Sequence, residues 1–474
     1  MSRLAVAVVF PALCLIAAGS ASPRPSASAL LAGPLETAIV DTESLSSGET
    51  AAKTARIHSA GARTVRLILY WATVAPRALT KPAGFDAANP SDPAYRWDEF
   101  DREVRSAVSG GLRPIVGIQL APAWAERSGG RPDPAELAAF ARAAATRYGG
   151  SFAGLPRVRI WQAWNEPNLS VFLNPQFNGT DSVSPEIYRA MVNAFADSVH
   201  SVHSDNVVVA GGLAPYGHPL SPRVSFTGVS PLRFMRELLC MAGRTIPRPS
   251  CSTQVRFDVW SHHPYTAGGP TQQARNPDDA SIGDLAEMRR LLDAASRAGH
   301  IVAQGRLRFW VTEFSWDSNP PDASGVPAKL HARWVAEGMY RMWQSGVSLV
   351  TWFKLTDDPP NVSRYQSGLF RSPTQPKLAL RAFRFPFVAF PSRGRVFVWG
   401  RTPLGAAGTV VVEQRRHGLW SRRASLMANR YGIFTARVAR SGSGNLRARV
   451  AGETSLEFSL TKPRDFSLET PFGD

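Results

Sequence analysis

Two glutamates stand where carboxyl chemistry would need them. Glu166 lies in Trp164-Asn165-Glu166-Pro167-Asn168 and Glu313 in Phe309-Trp310-Val311-Thr312-Glu313-Phe314. Each follows an apolar run rich in β-branched and aromatic residues and opens a polar stretch. A carboxyl group at such a junction is badly placed for burial and well placed to face a cleft. Two of them suit cleavage of a glycosidic bond, which takes a proton donor and a second carboxylate on opposite sides of one sugar.

The elements that must carry these residues repeat in a simple order. Eight short apolar runs read as strands: 37–40, 65–71, 114–120, 158–164, 207–211, 257–262, 308–312 and 348–354. They are near-continuously hydrophobic, as strands buried on both faces are. Seven longer amphipathic stretches, 49–60, 97–109, 134–148, 185–202, 231–241, 284–298 and 328–345, read as helices. Asp133-Pro134 and Ser184-Pro185 supply capping residues with proline in the first turn. This alternation predicts an α/β fold, a parallel (β/α)8 (TIM) barrel over residues 36–390. A doubly wound open sheet would want a GxGxxG turn after an early strand, and none is present. In a barrel, both glutamates fall at strand C-terminal ends, after the fourth and seventh strands.

From Pro391 the texture changes to short strands separated by Gly, Ser and Asn. Leu446-Arg447-Ala448-Arg449-Val450 alternates apolar and basic residues, the period of a half-buried antiparallel strand. A small all-β sandwich is expected over 391–463, with strands at 396–399, 409–413, 419–427, 433–438, 446–450 and 456–460, and a polar tail over 464–474. At the other end, Arg3, an apolar stretch from Leu4 to Ala18 and small residues to Ala21 form a signal peptide (1–21), with 22–35 a linker. The stretch is too short and proline-broken for a membrane anchor. The expected location is therefore extracellular, without stable membrane insertion.

Composition bounds the rest. The 474 residues are 44% hydrophobic and 19% charged, ordinary for a globular chain, with a net charge of +17. The cations are almost all arginine and scattered along the chain, which argues against a nucleic-acid face; an anionic substrate or association with a cell-wall surface stays open. With Cys14 in the leader, Cys240 and Cys251 remain, and in an oxidising compartment they most simply form one disulfide. No metal or cofactor is implied, and His262 and His263 lack a third ligand at a recognisable spacing. Loops at 74–95, 168–184 and 213–230 are long enough to wall a cleft. Sequons begin at Asn168, Asn178 and Asn361, and a glycan on Asn168 would block the site.

The motifs together resemble those of clan A glycoside hydrolases. Asn165-Glu166-Pro167 resembles the clan's acid/base motif and Thr312-Glu313-Phe314 its nucleophile motif. Val65-Arg66-Leu67 resembles the second-strand arginine, His263-Pro264-Tyr265 the sixth-strand His-x-Tyr pair, and Trp352 the eighth-strand tryptophan that floors the sugar subsite. The arginine is similar to that of family 5, while Trp-Asn-Glu-Pro-Asn is similar to family 39. Where family 5 has a third-strand histidine, this chain has Gln119-Leu120-Ala121-Pro122-Ala123-Trp124, which leaves the sugar open.

The resemblance implies a retaining glycosidase acting on a poly- or oligosaccharide. Glu166 would protonate the leaving oxygen, Glu313 would attack, Arg66 and Tyr265 would stabilise Glu313, and Asn165 would bond a sugar 2-hydroxyl. Arg66 has a plainer alternative role as an internal ion-pair partner. Trp71, Trp124, Trp316 and Trp352 fall near strand ends, where rings can stack on sugars or pack the barrel top. A carbohydrate-binding protein on an inactive barrel and a transglycosylase are the competing readings.

Overall fold

The computed structural model describes residues 33–41, 45, 48–218, 226–359 and 365–468. The expected signal peptide, most of the linker, Asn361 and the last six residues lie outside them. Eight parallel strands close a barrel: β1 (Glu36–Val40), β2 (Thr64–Tyr70), β3 (Arg113–Gln119), β4 (Ile160–Ala163), β5 (Val207–Leu213), β6 (Val259–His262), β7 (Arg308–Val311) and β8 (Leu349–Phe353). β8 pairs with β1 over five residues to complete the ring. All eight expected strands are present.

Helices α1 (Thr50–Ser59), α2 (Asp98–Ser109), α3 (Pro134–Arg147), α4 (Ser184–Val202), α5 (Pro231–Leu238), α6 (Leu285–Arg297) and α7 (Ala328–Gln344) lie where periodicity placed them. Asp133 caps α3 by accepting from the Ala135 amide, with Pro134 in the first turn. The sequence reading missed two short helices, a single turn at Trp71–Val74 after β2 and α8 (Leu378–Arg384) after β8. At four and seven residues they are too short to show a helical period.

Strand parity divides the barrel residues. Ala38, Ile115, Ile160, Val209, Val259, Trp310 and Leu349 form an apolar plug inside the ring. Their neighbours, such as Trp161, Trp260, Val311 and Trp352, join the larger core between strands and helices. Two residues further on, at Gln162 of β4 and at Thr312 just past the end of β7, the interior becomes polar, and both residues are fully buried. The site is built on that polar layer.

The C-terminal region is two antiparallel sheets. β9 (Phe387–Ser392), β10 (Arg395–Arg401) and β13 (Ile433–Ala439) form one; β11 (Gly408–Arg416), β12 (Leu419–Ala428) and β14 (Asn445–Val450) form the body of the other. Leu446 and Ala448 of β14 are buried, in keeping with the alternation. β9 spans the expected start of the sandwich, and the expected last strand is reduced to Phe458–Ser459, which pairs with β14. The sandwich rests on α7, where Tyr340 and Trp343 each lie 5.4 Å from Trp399. The start of the tail is docked as well: the Leu468 amide donates to Ala267 O at 2.6 Å, and Phe466 packs on Trp334. Cys240 and Cys251 are joined in a disulfide with Cα atoms 5.1 Å apart. No helix among the described residues is long and apolar enough to cross a membrane.

Candidate active site

Arg66 is the hub of the polar layer. It points inward from β2, is 2% exposed, and spends its guanidinium on three partners. Nε donates to Gln162 Oε1 at 2.9 Å, a second nitrogen to Asn165 Oδ1 at 2.8 Å, and a third to Glu313 Oε2 at 2.9 Å. Tyr265 completes the grip on Glu313, its hydroxyl donating to Oε1 at 2.7 Å. Burial, and then the charge of Glu313, push the Tyr265 phenol well above its ordinary range, so it stays a donor. Glu313 thus has one oxygen on a cation and the other on a phenol.

Glu166 has a different setting. Its side chain is 13% exposed, and its partner is His263, with Nδ1 2.9 Å from Oε1. His263 Nε2 lies 3.1 Å from Thr312 Oγ1. Burial holds the imidazole neutral by lowering its pKa to about 3. Burial also raises the carboxyl of Glu166 to about 7, the charge of Arg66 opposing only in part. A neutral imidazole suits both states of Glu166: Nδ1 accepts from the protonated carboxyl, and in the other tautomer donates to the carboxylate. Near neutrality, Glu166 can give up and take back a proton.

The backbone that presents Glu166 is strained. Trp164 (φ +70°) and Glu166 (φ +40°) are both left-handed, which costs about 1 kcal/mol or more for each non-glycine residue. Hydrogen bonds hold them there: the Trp164 amide reaches Ile118 O, its indole Phe172 O, and the Glu166 amide Gly212 O. The acceptor comes from a Gly211-Gly212 pair at the end of β5. A Cβ on Gly211 would fall 2.3 Å from Ser261 O, and one on Gly212 would fall 2.7 Å from Gln162 Nε2. Only glycine lets β5 approach so closely.

Arg66, Asn165 and Glu313 line a cleft of about 1030 Å³ that runs from the C-terminal mouth of the barrel along β2 to Ile57 of α1 and Phe100 of α2; Glu166, His263 and Tyr265 sit behind its lining. The aromatic expectations need correction here. Trp352 is 1% exposed and faces away from the cleft, packed against Phe314 and Phe383, with its indole on Ser367 O. Strand parity is the reason: Leu349 points into the barrel, so Trp352 must point out and Phe353 in. It is Phe353 that lines the cleft. Trp316 and Trp71 are fully buried, Trp316 donating to Thr266 O and Trp71 stacking on Phe140. Trp124 is half-buried, tied to Pro76 O and packed edge-on against Trp71. Besides Phe353, the rings of Tyr70, Phe172 and Tyr365 line the cleft.

Gln162 and Thr312 were missed, although a polar residue inside a buried strand must be bonded to something there. Gln119, where family 5 has histidine, lines the cleft, and its Oε1 is buried with no protein partner. Asn168 is fully buried, its amide group bonded to Ala214, Tyr216 and Val229, so it cannot bear a glycan in the folded protein. His262 points outward to Ala280 O. No cluster of potential metal ligands occurs among the described residues.

No protein-family model matches the sequence, and no curated protein is similar to it. Solved structures share its fold. A family 39 glycoside hydrolase from the gut symbiont Bacteroides cellulosilyticus WH2 is 16% identical, with a TM-score of 0.53 over 86% of this chain and 80% of that one. A monomeric beta-xylosidase from Caulobacter crescentus CB15 is 15% identical, with a TM-score of 0.48 over 86% of this chain and 96% of that one. The first likeness shows that the chain shares that protein's fold. The second is too distant to add to it.

Proposed function

We propose that the protein is a retaining glycoside hydrolase that cleaves O-glycosidic bonds of a poly- or oligosaccharide. The observation that carries this reading is the opposite electrostatic setting of two carboxyls at one barrel mouth. Glu313 is clamped by a cation and a phenol, while Glu166 is desolvated beside a neutral imidazole. Divergent environments of this kind support Glu313 as the nucleophile and Glu166 as the acid.

In the first step a Glu313 oxygen bonds to the anomeric carbon as the glycosidic bond breaks, and the leaving oxygen takes the proton of Glu166. In the second, water attacks that carbon, gives its proton to the Glu166 carboxylate, and releases Glu313. Arg66 and Tyr265 hold Glu313 in place as its charge is lost and regained. Asn165, oriented by Arg66, offers its amide N–H to the sugar 2-hydroxyl. Phe353 and Tyr70 supply ring faces for the sugars. The disulfide and the leader-like N-terminus support an extracellular location.

The test is turnover on a panel of polysaccharides and aryl glycosides, with wild type beside Glu313→Gln, and NMR of the first anomer released. Loss of activity in a folded variant and a retained anomer are expected. Near-normal activity in the variant, or an inverted product, would sink the proposal.

A further inference from the structure

A second cavity, of about 510 Å³, lies between the barrel and the sandwich. Its lining includes Lys329 and Arg333 of α7, Arg381 of α8, Arg415 of β11 and Arg447 of β14, against one carboxylate, Glu457. The sandwich contributes to this imbalance throughout: residues 391–463 hold 13 Lys/Arg and 3 Asp/Glu.

Two of the five cations are neutralised where they stand. Arg415 pairs with Glu457 at 2.9 Å and Arg447 with Glu413 at 2.8 Å. The other three make no ion pair with a carboxylate of the described residues. Arg333 donates to Ser459 O at 2.9 Å and Arg381 to Thr454 O at 3.2 Å; Lys329 is exposed. Neutral acceptors orient the two guanidiniums without discharging them. Three cations without a carboxylate contact, of which Arg333 is partly offset by Glu337 one turn along α7, concentrate anions around one concavity.

Asn445, Thr454 and Ser455 add neutral polar groups, and the remaining lining is apolar, with Leu378 39% exposed at the rim and Leu456 and Phe385 beside it. A ligand that fits has flat C–H faces and anionic groups projecting from them. Pyranose rings with carboxylate or sulfate substituents have that form. Single-stranded nucleic acid instead wants open aromatic platforms for its bases. The rings that line this cavity are covered: Phe385 and Phe387 are buried, and the guanidinium of Arg333 sits 3.9 Å from the Phe458 centroid.

We infer that this groove is a second carbohydrate site, separate from the cleft, that holds an anionic glycan segment through its carboxylate or sulfate groups. The inference does not depend on what the cleft catalyses.

The experiment is calorimetric titration of the full chain carrying Glu313→Gln, so that the probe survives, with a short oligogalacturonide. Lys329→Glu together with Arg381→Glu reverses two exposed charges that have no carboxylate partner to lose. Binding is expected to weaken with salt and to fall at least tenfold in the double variant. Binding of a neutral xylo-oligosaccharide should not respond to the reversal. Unchanged melting, and unchanged aryl-glycoside turnover when Glu313 is intact, would show the variant is folded; if it is not, each single reversal is titrated instead. No binding of the oligogalacturonide, affinity unmoved by the reversals, or equal binding of a single-stranded oligonucleotide of the same charge would overturn the inference.

Discussion

Glu166→Gln keeps the shape of the side chain and removes its titration. In the folded protein the carboxyl sits at about 7, against an ordinary value of 4.5. Between those values the native state holds a proton that the unfolded chain has released, so stability must fall as pH rises. The contribution is fully present below about 4.5 and gone above about 7. From these values the wild type should lose about 2.5 kcal/mol between pH 5 and pH 8 that the variant does not. Asp317, also raised to about 7 by burial, adds its own dependence, but it is present in both proteins and cancels in the difference.

The assay is urea unfolding of both proteins at the two pH values. It is paired with kcat/KM profiles on aryl glycosides of good and poor leaving ability. Wild-type activity should decline about tenfold per pH unit above 7 on the poor leaving group. The variant should lose that alkaline limb, retain activated substrates, and lose about 100- to 10,000-fold on the others. Parallel stability curves, or an alkaline limb surviving in the variant, would refute both the raised carboxyl and its role as the acid.

Arg66→Met leaves Gln162, Asn165 and Glu313 facing a vanished cation. It should cost about 3–5 kcal/mol of stability by denaturant titration and lower kcat together with kcat/KM. Trp352→Phe should lower stability by about 2–3 kcal/mol while leaving KM unchanged. Phe353→Ala should raise KM about tenfold, as loss of a ring contact in the cleft would. The reverse pattern in steady-state kinetics would mean that Trp352 is the sugar platform. Replacing Cys240 and Cys251 with serine opens a short loop and should cost about 3 kcal/mol in thermal unfolding, with activity at 25 °C unchanged.

What could be read from the chain follows from what a one-dimensional pattern carries. Strands buried on both faces are apolar throughout, which makes β1 to β8 visible as runs. The same uniformity hides orientation: in Val350-Thr351-Trp352-Phe353 both aromatic residues look alike, and only register with the ring shows which faces sugar. Glu166 and Glu313 stood out because they interrupt such runs at their ends. Gln162 interrupts one in the middle, and its meaning depends on Arg66, 96 residues earlier in the chain. The Gly211-Gly212 pair looked like the tail of a strand. Its significance is a contact with Ser261 and Gln162 that no local spacing encodes.

The docked C-terminal residues bear on how such a protein can be rearranged. Leu468 bonds to Ala267, two positions after the tyrosine that grips Glu313, and Trp399 wedges against α7. The sandwich is therefore no cassette that recombination could exchange while the barrel carries on unaltered. A foreign appendage would have to reproduce a fastening beside the reaction centre as well as a fitting surface. Homologous exchange across this junction should succeed when the segment from α7 to Leu468 travels as one block. A fusion partner is better attached through a spacer beyond that residue.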